Sequence, residues 1–209
     1  MSGPRRSSGS WRDRQQRDPY VKKARAAGWR SRAVYKLEQI DRKEKLLKSG
    51  MLAVDLGSAP GSWSQYLVEK LRGRARVVAV DLLPMDGLPG VEFIQGDFRE
   101  EDVLEGLRAA LDGDLADLVM SDMAPNISGL KAVDQPASMY LAELALDVCS
   151  EVLKFKGDFV CKVFQGQGAD ELIADARTKF ERVRVIKPAA SRAGSPEVYL
   201  IGKSYKLMR

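Results

Sequence analysis

The sequence predicts an α/β domain in which a mostly parallel sheet carries helices on both faces. From residue 51 onward, short apolar runs alternate with stretches of helical periodicity, which is the pattern of such sheets. Four apolar runs end at or just before an acid: Asp55, Asp81, Asp97 and Asp122. A single acid at such a position is more often a cap or turn residue, but these four repeat one geometry. Because parallel strands share one carboxyl edge, we expect the acids along the rim where open α/β sheets bind ligands.

The elements follow in order along the chain. Residues 1–18, rich in Ser, Arg, Gly and Gln, are expected to form a flexible basic arm, and residues 19–209 a single domain. Two amphipathic helices follow the arm, with Ser31 as the expected N-cap of the second. The predicted helices span residues 19–28, 31–45, 62–72, 100–111, 135–154 and 169–178. The predicted strands span residues 52–56, 76–81, 91–95, 115–121, 158–164, 181–187 and 197–203.

Composition limits the class of protein. The 209 residues, of which 44% are hydrophobic, suffice for one domain with a sizeable core. Cys149 and Cys161 lie in apolar surroundings and are expected to be core thiols of a reducing compartment. No apolar run reaches about 18 residues and no signal region opens the chain, so we expect a cytoplasmic protein without a membrane segment. The chain has no histidine, which removes the commonest metal ligand and general base, and no metal site is expected.

Positive charge is concentrated at the amino terminus. Residues 1–36 hold eleven Arg and Lys against two Asp, whereas residues 37–209 hold 23 basic and 27 acidic residues. Four aromatic side chains lie among the amino-terminal charges: Trp11, Tyr20, Trp29 and Tyr35. A basic segment interleaved with aromatic residues suits a nucleic-acid backbone whose bases are available for stacking. A solubilising tail is the alternative.

The turn after the first strand indicates a nucleoside cofactor. Residues 54–63 read VDLGSAPGSW, with Gly57 and Gly61 in a turn between a strand and a helix. Glycines there let the backbone approach a ligand closely. A dinucleotide site would need G-x-G-x-x-G, and Asp55 would repel a pyrophosphate but suit a cationic sulfonium. The turn therefore favours S-adenosylmethionine over NAD, and Asp81, twenty residues past Gly61, has the position of a ribose-binding carboxylate.

Three lysine and glutamate side chains are candidates for chemistry beside Asp122. Asp122 ends the fourth strand before a proline-containing loop, next to the cofactor turn. Lys162 is the one lysine in the apolar fifth strand, where it needs a partner, and Asp122 is the candidate. A lysine that reaches solvent from an edge strand is the alternative. Glu197 opens the last strand and Lys36 lies in the second helix, and each taken alone reads as a surface residue.

A set of short motifs spans most of the chain and is specific in combination. The motifs occupy residues 30–37, 55–63, 81–85, 96–98, 121–126, 162–166 and 197–199. Through them the chain resembles the FtsJ/RrmJ family of ribosomal RNA 2′-O-methyltransferases from about residue 20 to residue 202. The resemblance implies a Rossmann-like class I S-adenosylmethionine-dependent methyltransferase fold, with a seven-stranded sheet and one antiparallel strand. Residues 1–18 match the family only in being basic.

The resemblance also implies site residues and a substrate. The family's catalytic Lys-Asp-Lys-Glu set falls on Lys36, Asp122, Lys162 and Glu197. Its cofactor contacts fall on Gly61, Trp63, Asp81, Asp97 and Asp122, and Asp55 and Gly57 of the turn complete the predicted cofactor site. The implied substrate is a uridine ribose in the A-loop of 23S ribosomal RNA in the large (50S) subunit. Residues 19–45, the first two helices, are expected to contribute to RNA binding.

Other functions stay open at this point. A ribosome-assembly module would bind RNA and S-adenosylmethionine without turnover, and a 2′-O-methyltransferase of another RNA would share every motif. A methyltransferase of small molecules or proteins would leave the basic arm unexplained, and an NAD-dependent oxidoreductase is disfavoured by the missing G-x-G-x-x-G. The sequence has no coiled-coil heptads, so we expect a monomer without an obligate protein partner.

Overall fold

The computed structural model describes residues 17–206. Residues 1–16 and 207–209 lie outside the described part, so the predicted arm over residues 1–18 is represented by Arg17 and Asp18 alone. The flexibility of that arm stays a prediction.

Seven strands and six helices lie within residues 17–206. The strands are β1 (Met51–Leu56), β2 (Ala75–Asp81), β3 (Val91–Gln95), β4 (Ala116–Ser121), β5 (Leu153–Phe164), β6 (Phe180–Ile186) and β7 (Glu197–Tyr205). The helices are α1 (Pro19–Ala26), α2 (Val34–Glu44), α3 (Ser62–Lys70), α4 (Glu101–Leu111), α5 (Lys131–Val152) and α6 (Ala169–Lys179). The seven strands form one sheet of order β3-β2-β1-β4-β5-β7-β6, in which β7 runs antiparallel to both its neighbours. The predicted seven-stranded, mostly parallel sheet with one antiparallel strand is confirmed.

A separate apolar layer covers each face of the sheet. Leu107, Leu146 and Phe159 belong to the layer under α4, α5 and α6, which also buries both predicted core thiols. The opposite layer lies under α1, α2 and α3 and includes Leu37 and Ile40, both fully buried. These two residues stand three apart on one face of α2, and burying such a side chain contributes about 1.5–3 kcal/mol. That packing fixes α2 against the sheet and with it the neighbouring Lys36.

The order of the strands brings two chain segments together at one edge of the sheet. β1 pairs in parallel with β2 on one side and with β4 on the other. Leu56 at the end of β1 is in register with Ser121 at the end of β4. The chain therefore leaves the two strands side by side, at the type of crevice where open α/β sheets bind ligands. The turn that begins at Gly57 and the loop that begins at Asp122 border this crevice.

Three local predictions were wrong. Ser31 does not cap the second helix, because that helix begins at Val34 after Ala33, and the Ser31 hydroxyl accepts a hydrogen bond from the Ala33 amide instead. α5 begins four residues earlier than predicted, since the Asp134 carboxylate accepts the amides of Ser128 and Gly129 and orders its first turn. β5 begins at Leu153, where a register shift in its pairing with β4 lets Leu153 pair with Ala116.

Candidate active site

The turn between β1 and α3 depends on two glycines in left-handed backbone conformation. Gly57 has φ of +73° and Gly61 has φ of +98°, values that side-chain-bearing residues rarely adopt. A Cβ atom on Gly57 would lie 2.1 Å from Cγ of Met123. The turn is held to the end of β2, where the Ala59 amide donates to Oδ2 of Asp81 at 2.8 Å. Gly57 therefore lets the turn lie directly against the loop after β4.

A cavity of about 600 Å³ opens in the crevice beside this turn. Its walls include Gly57, Asp81, Asp97, Phe98, Asp122 and Met123. Four of the residues predicted to bind the cofactor thus border one space: Gly57, Asp81, Asp97 and Asp122. Apolar walls with a few convergent polar groups are the usual composition of a small-molecule site, and the volume is in the range of such sites.

The two carboxylates at the ends of β2 and β3 are held in place by hydrogen bonds. Asp81 accepts the Ala59 amide on one oxygen and the Leu83 amide on the other, both at 2.8 Å. Asp97 forms an ion pair with Arg99 that uses both carboxylate oxygens. The hydrogen bonds from Arg99 hold the pKa of Asp97 below its usual value. Each oxygen of Asp81 keeps a second lone pair for a ligand hydroxyl or amine, whereas both oxygens of Asp97 already accept hydrogen bonds from the amide and guanidinium of Arg99.

Three residues predicted to bind the cofactor do not border the cavity. Asp55 is 1% exposed and accepts a hydrogen bond from Oγ of Ser64 at 2.6 Å, and burial raises its pKa to about 7. Trp63 is buried, and its indole nitrogen donates to the carbonyl of Ala33 at 3.0 Å. Gly61 caps the amino terminus of α3. Direct contact of these three residues with a cofactor stays a prediction.

Four charged side chains from four different elements meet at the side of the cavity. Nζ of Lys162, on β5, lies 3.2 Å from Oδ1 of Asp122, which follows β4. Nζ of Lys36, on α2, lies 3.7 Å from the same oxygen and 2.8 Å from Oε2 of Glu197, the first residue of β7. The pairing of Lys162 with Asp122 that the sequence predicts is present. We call Lys36, Asp122, Lys162 and Glu197 the charged cluster.

The ionisation of Asp122 is set by its neighbours in the charged cluster. Burial by itself would raise the pKa of Asp122, but the positive charges of Lys162 and Lys36 and a hydrogen bond from Tyr199 outweigh it and leave the pKa below the usual value. Asp122 is therefore a carboxylate at neutral pH. A carboxylate that is largely withdrawn from water needs such partners, because an unpaired buried charge is costly.

Two residues that the sequence interpretation missed complete the cluster. Tyr199 donates its hydroxyl to Oδ1 of Asp122 at 2.6 Å, and Ser191 donates to Oε1 of Glu197 at 2.7 Å. Burial, and next the charge of Asp122, raise the pKa of Tyr199 well above its usual value, so the phenol remains a donor. Tyr199 stands two residues after Glu197 on β7, and the alternation of side chains along a strand was a signal that could have found it. Ser191 lies in a loop, where no such periodicity exists.

The charged cluster separates the large cavity from a second one. The second cavity has a volume of about 230 Å³ and is lined by Arg32, Lys36, Arg192, Ser195 and Glu197. Asp122 borders the first cavity, whereas Lys36 and Glu197 border the second. A group transferred between ligands in the two cavities would therefore pass the charged cluster. The second cavity has a cationic rim, which favours an anionic ligand.

Fold and site together define an α/β enzyme with a nucleoside-type cavity at the switch point of its sheet and a charged cluster beside it. Comparison with known proteins identifies the class further, since the model of the FtsJ-like methyltransferase family matches residues 29–205. The chain belongs to the FtsJ-like methyltransferase family. The resemblance on which the sequence interpretation relied is confirmed.

Relatives in two bacteria match almost the whole chain. Proteins named ribosomal RNA large subunit methyltransferase E in Legionella pneumophila (strain Paris) and in Marinobacter nauticus are each 54% identical over 202 residues. Each match covers 97% of this chain and 98% of the relative.

Solved structures share the fold. The crystal structure of a ribosomal RNA methyltransferase from Plasmodium falciparum superposes with a TM-score of 0.76 at 29% identity and covers 87% of this chain and 100% of its own. Human methyltransferase-like protein 13 in complex with SAH gives a TM-score of 0.57 at 16% identity, covers 82% of this chain and 79% of its own, and shows likeness of fold alone.

Within residues 17–206 no helix is long and apolar enough to cross a membrane. Over the same range, no group of three or more His, Cys, Asp or Glu side chains is placed to hold a metal ion.

Proposed function

We propose that the protein transfers a methyl group from S-adenosylmethionine to the 2′-hydroxyl of a uridine in the A-loop of 23S ribosomal RNA, within the large ribosomal subunit. The observation that carries the proposal is the charged cluster between a nucleoside-sized cavity and a second, cation-rimmed cavity. The relatives named ribosomal RNA large subunit methyltransferase E support the choice of substrate.

The residues that border the large cavity fit S-adenosylmethionine. Asp81 is suited to the ribose hydroxyls, because each of its oxygens keeps acceptor capacity. Asp97 is assigned to the exocyclic amine of the adenine, which would replace part of its pairing with Arg99. Phe98 and Met123 supply apolar walls for the base, and the left-handed Gly57 lets the turn lie against Met123 at the border of the cavity. The negative charge of Asp122 favours a sulfonium nearby. When bound, the cofactor supplies an electrophilic methyl group.

The charged cluster provides the acid–base chemistry that the acceptor needs. A ribose 2′-hydroxyl is a weak acid and must lose its proton to attack a methyl group. Lys162 is assigned as the residue that accepts this proton as a neutral amine, after it has released its own proton to solvent, while Asp122 and Glu197 orient the two lysines. Nζ of Lys36 and Nζ of Lys162 both lie near the same oxygen of Asp122, which places the two lysines side by side. Positioning contributes about 7–11 kcal/mol in favourable cases and general base catalysis about 10²- to 10⁴-fold, so the orientation of the hydroxyl is the larger effect.

RNA is the proposed acceptor because of charge near the second cavity. Arg32, Lys36 and Arg192 line that cavity, and Lys22 and Lys23 on α1 are exposed. Helices α1 and α2 are therefore proposed to contact the phosphate backbone, together with the basic residues that precede them. Binding through several phosphates should weaken steeply as salt is raised.

The proposal is tested by mapping the methylated nucleotide. The protein is incubated with labelled S-adenosylmethionine and either large subunits or free 23S ribosomal RNA that lacks the modification. Label at the 2′-oxygen of one A-loop uridine is the expected result. Label elsewhere would give the enzyme another RNA target, and binding of cofactor and RNA without any label would favour an assembly module.

A further inference from the structure

The carboxylate of Asp18 joins two arginines at the rim of the second cavity. One oxygen of Asp18 forms an ion pair with Nη1 of Arg32 and lies 3.5 Å from Nη2 of Arg192. The Asp18 side chain is 9% exposed and that of Arg32 16%, whereas the Arg192 side chain is 53% exposed. Arg32 also donates to the carbonyl of Ala190, which holds its guanidinium at the cavity.

Both arginines are cavity residues, so Asp18 neutralises charge that would otherwise face the ligand. Arg32 and Arg192 line the second cavity together with Lys36 and Glu197 of the charged cluster. A guanidinium binds carboxylates and phosphates through the same planar pairs of donors. A backbone phosphate that enters this cavity therefore meets guanidinium groups already engaged by an internal carboxylate.

We infer that Asp18 competes with a backbone phosphate of the RNA for Arg32 and Arg192, and that this competition sets the affinity for RNA. The inference rests on the proposed function, since it takes RNA as the ligand of the second cavity. A phosphodiester must displace or share the ion pairs of Asp18 before it gains those of the arginines. Such competition weakens the binding of every RNA equally at this subsite. An RNA therefore binds tightly only if it also makes the remaining contacts of the correct substrate.

A second role of Asp18 permits a clean experiment. Its other oxygen accepts the Tyr20 amide at 3.0 Å and so caps the amino terminus of α1. Asparagine is as good an N-cap as aspartate. The Asp18→Asn variant therefore keeps the cap, removes the charge and leaves the arginines in place.

The test measures the affinity of the protein for unmodified 23S ribosomal RNA by filter binding at fixed salt. Asp18→Asn should bind about three- to fivefold more tightly than the wild type, since ion pairs with an exposed partner contribute modestly. The matched control is Glu105→Gln, which makes the same change in net charge at an exposed position of α4, on the opposite face of the sheet. Thermal unfolding of both variants checks that the fold is retained.

A double-mutant cycle tests whether the gain in affinity for RNA depends on the arginines. In a protein that already carries Arg192→Ala, the Asp18→Asn change should give a smaller gain, because one of the two competing cations is gone. The maximal rate of methyl transfer should be the same for the wild type and Asp18→Asn, with the change confined to KM.

Binding equal to that of Glu105→Gln, or weaker than that of the wild type, would overturn the inference. A wild type that does not bind or methylate the RNA would instead overturn the proposed function.

Discussion

Replacing Asp55 with asparagine is expected to stabilise the cofactor-free protein at neutral and alkaline pH and to leave its stability near pH 4 unchanged. Asp55 lies inside the sheet with 1% of its surface exposed, and burial raises its pKa from 3.8 to about 7. The folded protein therefore retains a proton on Asp55 over a range of pH in which the unfolded chain has lost it.

The direction follows from proton linkage. Between about pH 4 and pH 7 the folded state binds one more proton at Asp55 than the unfolded state, so the free energy of unfolding falls as pH rises. A difference of about three pKa units at about 1.4 kcal/mol per unit amounts to about 4 kcal/mol. The loss is complete above about pH 7, where both states are ionised. The asparagine side chain of the Asp55→Asn variant has no such titration, and its amide would keep a hydrogen bond to Ser64.

The assay is urea unfolding followed by tryptophan fluorescence at several values of pH between about 4 and 8. The free energy of unfolding of the variant should exceed that of the wild type by up to about 4 kcal/mol near pH 8, and the two values should be nearly equal near pH 4. Asp114→Asn is the matched control, because it removes one carboxylate at an exposed position. A stability difference that does not change with pH, or a variant less stable than the wild type near pH 8, would refute the reasoning.

Two further substitutions address the cavity and the charged cluster. Gly57→Ala should weaken binding of S-adenosylmethionine at least about tenfold. The φ of +73° and a Cβ that would lie 2.1 Å from Cγ of Met123 force the turn to move. Calorimetric titration measures the affinity for the cofactor. Gly50→Ala has a similar φ of +82° but nothing near its Cβ, and an equal loss in that control would contradict the steric argument. Glu197→Gln should lower kcat less than Lys162→Met does, because Glu197 orients Lys36 and does not itself take the proton. Steady-state rates on 23S ribosomal RNA compare the two variants, and equal losses would disprove the ordering.

Much of the fold and the charged cluster could be predicted because parallel strands deliver their carboxyl ends to one edge. Asp81, Asp97 and Asp122 each follow directly from that rule, and all three border the large cavity. Asp55 is the exception and does not border the cavity, because side chains along a strand alternate between the two faces of the sheet. Along β1, Val54 and Leu56 face one side of the sheet, so Asp55 points to the other side and meets Ser64 of α3.

The contacts that could not be predicted depend on tertiary packing between distant segments. Ser191 reaches Glu197 from a loop, and Asp18 reaches Arg192 across 174 positions of the chain. A lone aspartate before a helix reads as an N-cap, which Asp18 also is. The docking of α1 beside the loop before β7 gives that carboxylate its contact with Arg192.

The most direct test of the central claim is the single-turnover rate of methyl transfer to unmodified 23S ribosomal RNA by the Lys162→Met variant, measured with its affinity for S-adenosylmethionine. If the charged cluster performs the chemistry, the rate should fall by about 10²- to 10⁴-fold while the affinity for the cofactor stays within about twofold of the wild type. A rate close to that of the wild type, with methylation at the same nucleotide, would contradict the assignment of Lys162 as the proton acceptor.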